Sequence, residues 1–220
     1  MCGWQNSHKI LSSGLIILWL RVQPIQHAIL GQSMMYDTTL GTKKGNYLVL
    51  PYDMQLKSAS ILKSPILYRS QNSNQICLSL NYFGSGTSSS LTILSLYLYD
   101  LSTSKKQFNQ LIGNLNATTG QLRWTRFQQQ VDNLPEVFAL KFISLPTSQM
   151  SGARIRSDIG IDDISIKDGP CSDDRPTTTS TSTSTPPIYQ SEFDCDFDHS
   201  TCNWQFEQQN WNVTNFDKRK

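Results

Sequence analysis

The stretch Ile76-Cys77-Leu78-Ser79-Leu80-Asn81-Tyr82 decides the fold class. Ile76, Leu78, Leu80 and Tyr82 alternate with Cys77, Ser79 and Asn81, and a period of two puts the first set on one face of a β-strand with a core beneath it. Gly84-Ser85-Gly86 follows as a turn. Leu91 to Tyr99 reads LTILSLYLY, apolar or aromatic on both faces as in a strand inside a sandwich, and Asp100 opens a polar loop. Phe138, Leu140 and Phe142 alternate again before Pro146, and a further strand begins at Ser157. Several strands separated by Gly, Pro, Asn and Ser turns, with no amphipathic helix, predict an all-β antiparallel sandwich or jelly roll.

The strand after Ser157 slips in phase. Ile159 and Ile161 share one face, but the next apolar residues, Ile164 and Ile166, fall on the other. One extra residue at Asp162-Asp163, a β-bulge, restores the register and re-aims one of the two aspartates.

Composition narrows the function. The 220 residues allow one or two domains. Charged residues are 16% of the chain, below the roughly 25% of an average domain, while 28 Ser and 18 Thr are present, a balance that suits an extracellular β protein. The net charge of +2 is dispersed, which argues against steered binding to nucleic acid. His8, His27 and His199 leave the long central stretch without a histidine-based catalytic or zinc centre. There is no Gly-rich phosphate loop and no nucleophile elbow. No apolar run reaches the length of a membrane-spanning helix; Ile10 to Leu20 partly matches a secretory leader but lacks a good cleavage site.

The five cysteines, Cys2, Cys77, Cys171, Cys195 and Cys202, are dispersed rather than grouped as metal ligands, and their odd number leaves one unpaired within the chain. Asn116 (Asn-Ala-Thr) and Asn212 (Asn-Val-Thr) carry N-glycosylation signals. Thr177 to Thr185 followed by Pro186-Pro187 is a mucin-like tract, extended and open to O-linked sugars. Together these features predict a secreted or cell-surface chain. The tract is a linker, residues 173–190, between a first domain at 1–172 and a piece at 191–220 that is too short to fold alone.

In four places the first domain resembles the MAM domain, the extracellular module of meprins, neuropilins and receptor tyrosine phosphatases of the mu type. Asp158-Ile-Gly-Ile-Asp-Asp-Ile164 with Gly169-Pro170-Cys171 is similar to the family's closing strand and last cysteine. Leu62-Lys-Ser-Pro65, then Cys77-Leu78, Leu80 and Tyr82, resembles its Leu-x-Ser-Pro and Cys-Leu-x-Phe-x-Tyr signature. Asp37-Thr-Thr39 and Gly45-Asn-Tyr-Leu-Val49 resemble its Asp-x-Thr and Gly-x-Tyr segment, and Cys2-Gly3-Trp4 with Trp19-Leu-Arg21 its opening. The tail repeats the start of the pattern in Phe193-Asp-Cys195-Asp-Phe197-Asp198 and Cys202-Asn-Trp204, so it resembles the truncated beginning of a second MAM-like domain.

The resemblance implies a disulfide-stapled fold with Cys77 bonded to Cys171 and Cys195 to Cys202. Cys2 is then the unpaired cysteine, its partner expected upstream of Met1 together with the first domain's opening strand. Two features depart from the family: that opening strand is missing, and apolar HKILSSGLIIL stands between Trp4 and Trp19 where the family has a shorter acidic stretch. Some MAM domains hold a structural cation near the closing strand, which makes Asp163, with Asp162 and Asp37, candidate calcium ligands. Asp194, Asp196 and Asp198 fail as an EF-hand because His199 and Gln205 stand where glycine and glutamate are needed. Cys195, His199 and Cys202 offer zinc three ligands without a fourth. Trp4, Trp19, Trp124, Trp204 and Trp211 are read as packing residues, and Arg154 with Arg156 as a solvated face.

The function implied is non-catalytic extracellular recognition: cell adhesion, protein–protein contact or oligomerisation, homophilic contact included, with membrane attachment through segments outside this chain. Two alternatives are a lectin-like sandwich that grips glycans through tryptophans, and an ancillary domain of a larger metalloprotease.

Overall fold

A computed structural model describes residues 19–24, 34, 36–51, 59–102, 109–119, 122–144, 157–171 and 194–209. Cys2, Trp4, the apolar stretch before Trp19, Arg154, Arg156, the linker, Trp211 and Asn212 lie outside the described residues. The strands in chain order are β1 (Leu20–Val22), β2 (Tyr47–Leu50), β3 (Ala59–Lys63), β4 (Leu67–Tyr68), β5 (Ile76–Phe83), β6 (Thr92–Asp100), β7 (Asn109–Asn116), β8 (Thr125–Val131), β9 (Val137–Ser144), β10 (Ile159–Asp168) and β11 (Gln205–Gln209).

They form two antiparallel sheets, β1-β2-β10-β5-β8 and β11-β3-β9-β6-β7, with β4 also paired to β9. This is the jelly-roll sandwich that the alternation predicts. Leu78 and Leu80 of β5 meet Leu96 and Leu98 of β6, Leu140 and Phe142 of β9, and Ile161 and Ile166 of β10 in one continuous core. Burying an aliphatic side chain of this size contributes roughly 1.5–3 kcal/mol, and this term drives the two sheets together. A smaller apolar cluster of Tyr47, Val49 and Phe83 lies on the other face of β2 and β5, covered by Trp124. There the Phe83 ring packs edge-on against both Tyr47 and Trp124.

Local chemistry explains the breaks. β3 and β4 both follow β9 but are interrupted at Ser64-Pro65. Pro65 has no N–H to donate, and beside it the Ser64 hydroxyl accepts the Leu140 N–H at 2.8 Å. β10 begins at Ile159, two residues after the expected start. Just before it, the Ser157 hydroxyl accepts the Ser85 N–H and donates to the Asp158 carbonyl. Cys77 is bonded to Cys171 and Cys195 to Cys202.

Residues 194–209 belong to the same sandwich. Cys195, Phe197 and Trp204 are buried in the main core, and β11 extends the second sheet beyond β3. The Trp204 ring lies 5.8 Å from that of Phe142.

Candidate functional site

The phase slip read from the sequence is a bulge in β10. Asp162 pairs with Asn81 and Ser165 with Ser79, so two residues of β10, Asp163 and Ile164, stand opposite Leu80 alone. Asp163 takes up the turn with φ 51°, a left-handed conformation that Asp adopts more readily than most residues. The consequence is the predicted divergence of the two side chains: Asp162 is fully buried and Asp163 half-buried.

Both aspartates then grip the segment before β2. Asp162 Oδ2 accepts the Thr38 N–H at 2.9 Å and Oδ1 accepts the Asp163 N–H at 3.0 Å. Asp163 Oδ2 accepts from Thr38 Oγ1 at 2.6 Å and Asn81 Nδ2 at 3.1 Å, and its Oδ1 accepts from Thr39 Oγ1 at 2.5 Å. Asp37, itself buried, closes the loop on its own backbone by accepting from Leu40 N at 2.6 Å and Thr42 N at 3.0 Å. Gly45 lets this happen, because a Cβ there would sit 2.3 Å from the Asp37 carboxyl carbon.

Proton counting bears on the charge state of the cluster. Thr38 Oγ1 lies 2.8 Å from Asp162 Oδ2 and 2.6 Å from Asp163 Oδ2, yet one hydroxyl has one proton to give. If Asp162 is protonated, it donates to Thr38 Oγ1, which donates onward to Asp163. Burial is the main force in that direction, raising the Asp162 pKa to about 8 against the opposing pull of the Thr38 N–H, with the Asp163 charge adding to the rise. Burial also raises Tyr47, whose hydroxyl donates to the Met34 carbonyl at 3.1 Å.

These donor contacts bear on the calcium expectation. Both oxygens of Asp37, Asp162 and Asp163 already accept hydrogen bonds. Among the described residues no three His, Cys, Asp or Glu side chains converge as a metal-binding group. In this arrangement the three carboxylates act together as a hydrogen-bonded latch on residues 37–42. Asn116 ends β7 with its side chain exposed, where its Oδ1 accepts from Thr92. Trp19 and Trp204 are buried, and Trp124 is half-buried with its Nε1 donating to the Tyr36 carbonyl at 2.8 Å.

A second constellation, which no local pattern announces, surrounds Asp198. The Arg21 guanidinium donates to the carbonyls of Phe197 and Asp198. Asn46 N–H donates to Asp198 Oδ1 at 2.6 Å, and Asn46 Nδ2 to the Asp198 carbonyl at 3.2 Å. The backbones of Cys195 and Ile164 exchange two bonds of 2.8 and 2.9 Å, and Asp194 Oδ1 accepts the Ile166 N–H at 2.9 Å. The tail aspartates thus serve backbone donors.

Among the described residues no helix is long and apolar enough to cross a membrane. No curated protein matches the chain. Residues 1–172 match the profile of the MAM domain, meprin/A5/mu. MAM domains are non-catalytic extracellular adhesion-type modules that mediate protein–protein interactions, and the disulfides here suit an oxidising compartment. On its fold and on this match over most of its length, the chain belongs to the MAM domain family.

Proposed function

We propose that this chain is a non-catalytic recognition module of a secreted or cell-surface protein, and that it makes homophilic protein–protein contacts through the loop latched by Asp162 and Asp163. The observation that carries the reading is what the latch holds up. Tyr36 and Leu40 are 47% and 57% exposed although the segment between them is bonded through the Thr38 and Leu40 N–H groups, the Thr39 hydroxyl and the Tyr36 carbonyl. Apolar side chains held outward on an ordered loop lose little conformational freedom on binding, which is how a small contact gains affinity.

The test is clustering of beads coated with the secreted chain. The wild type is expected to cluster. Leu40→Asp, a change on an exposed side chain, is expected to abolish clustering while leaving the melting temperature unchanged. Clustering that survives both Leu40→Asp and Tyr36→Ser would remove this loop from the contact, and wild-type beads that stay dispersed would remove homophilic binding.

A further inference from the structure

The signal Asn116-Ala117-Thr118 begins at the last residue of β7, an edge strand that pairs only with β6 among the described residues. Leu115 and Ala117 are buried in the main core, so Asn116 between them points outward and is exposed. Its carbonyl accepts from the Tyr82 hydroxyl at 3.2 Å and its Oδ1 from the Thr92 hydroxyl at 3.1 Å, while its Nδ2 meets no acceptor among the described residues. The Ala117 N–H donates to the Leu91 carbonyl at 2.8 Å, and Thr118 gives both its N–H and its hydroxyl to the Gly84 carbonyl, at 2.8 and 3.2 Å. The fold thus pins the segment and leaves outward the one nitrogen that carries an N-linked sugar.

The position of that nitrogen matters because of what lies along the same strand. In β7 Gly113 stands opposite Leu96 and Leu111 opposite Tyr97, so Ile112 is an extra residue, and it packs on the core. Tyr97 lies between the core residues Leu96 and Leu98, which places it and Leu111 on the outer face, the face Asn116 shares. Leu111 is 49% exposed. It lies roughly 17 Å of strand from Asn116, within the sweep of a branched oligosaccharide. A free edge that displays a leucine is a template for pairing with other chains. The latched loop lies on the other sheet: Thr38 is bonded to Asp163 and Asp163 to Asn81, which alternates with the core residues Leu80 and Tyr82 and so faces outward from β5.

We infer that Asn116 is N-glycosylated, and that its sugar shields the β7 edge and Leu111 while the Tyr36–Leu40 loop, on the opposite face of the sandwich, stays bare. The donor is an oligosaccharide carried on a lipid diphosphate. Nδ2 bonds to the anomeric carbon, the bond from that carbon to the diphosphate oxygen breaks, the lipid diphosphate leaves with the electron pair, and Nδ2 releases one of its two protons. Oδ1 keeps the bond from Thr92. The signal is read through its threonine, and in the folded chain that hydroxyl is committed to Gly84, so transfer precedes the closing of this segment. The site stands on its own contacts; only the use of the bare loop rests on the recognition reading above.

The test uses the full chain with Asn212→Gln, secreted from animal cells, so that Asn116 is the remaining signal. Peptide mapping after glycosidase treatment in heavy-oxygen water is expected to show most chains with a heavy-oxygen aspartate at position 116; an unmodified Asn116 throughout the secreted protein overturns the site. Light scattering then compares the glycosylated chain with the same folded protein stripped by the glycosidase, and with Asn116→Gln. Both sugar-free forms are expected to grow into larger particles, and Leu111→Lys, but not Leu40→Asp, is expected to reverse that growth. Sugar-free protein that keeps the size of the glycosylated form, or growth stopped by Leu40→Asp and not by Leu111→Lys, overturns the shield. Beads of the glycosylated chain that fail to cluster defeat the homophilic reading alone, since the peptide map and the effect of Leu111→Lys do not depend on it.

Discussion

Replacing Asp162 by Asn tests the central claim about the latch, that it holds a proton at neutral pH. The carboxyl is fully buried and its pKa is raised from 3.8 to about 8, chiefly by burial. Between those two values the folded chain keeps a proton that the unfolded chain has released. The contribution of this group to stability is therefore complete below pH about 4, is lost as the pH rises through the window, and is gone above about 8. The slope is at most about 1.4 kcal/mol per pH unit, on the order of a few kcal/mol across the window. Asn has no proton to lose, so its curve lacks this term. It keeps an acceptor for the Asp163 N–H, but its amide meets the Thr38 N–H donor at 2.9 Å, which costs on the order of 1 kcal/mol at every pH. Urea unfolding of the disulfide-intact chain from pH 5 to 8 should thus show wild type ahead at the acid end and Asp162→Asn level or ahead at the alkaline end. Parallel curves across that range would refute the proton count.

Three further outcomes follow from the same contacts. Gly160→Ala puts a Cβ 1.9 Å from the Phe83 ring; that ring is itself wedged against Tyr47 and Trp124, so a loss of about 1–3 kcal/mol is expected in urea unfolding. Removing the Cys77–Cys171 bridge, which spans 94 residues, should cost about 4–5 kcal/mol on the chain-entropy model, whereas removing Cys195–Cys202, which spans 7, should cost about 2–3; equal losses would contradict the loop-length argument. Millimolar calcium should leave the melting temperature unchanged because the aspartate oxygens are already engaged, and a rise abolished by Asp163→Asn would show a cation displacing the threonine hydroxyls.

What could be read in advance was whatever repeats at short range. The alternation in Ile76–Tyr82 and in Phe138–Phe142 comes from one face of each strand meeting a core, and those residues are buried. The bulge was legible because a one-residue insertion flips an apolar phase that the core otherwise imposes. By contrast β8, with the sequence TRFQQQV, leaves little trace because it lies at the edge of its sheet and is buried only at Val131. The Asp198 constellation was invisible for a different reason. Arg21 and Asn46 meet Asp198 across 177 and 152 residues, a separation that no periodicity records. Nor does the Cys195 to Trp204 motif say which sandwich it completes, since its apolar residues are the same whichever core receives them.

The single extra residue in β10 serves both the Thr38 loop and the pairing of Cys195. If the bulge were absent, Asp162 and Asp163 would alternate across the sheet, and they could not both reach Thr38. Ile164 would return to the ladder with β5, and Cys195 would lose both backbone partners. The loop offered for recognition and the seat of Cys195 therefore share one irregularity, with Asp163 at φ 51° between them. Asp163→Gly separates conformation from chemistry at this point: it tolerates the left-handed backbone but removes the acceptors for Thr38, Thr39 and Asn81. With the bulge and the Asp162 contacts to Thr38 kept but the Asp163 half of the latch lost, bead clustering should weaken while Cys195 keeps its backbone bonds to Ile164. Loss of both together would mean that the aspartate side chain, rather than the backbone turn, holds the seat of Cys195.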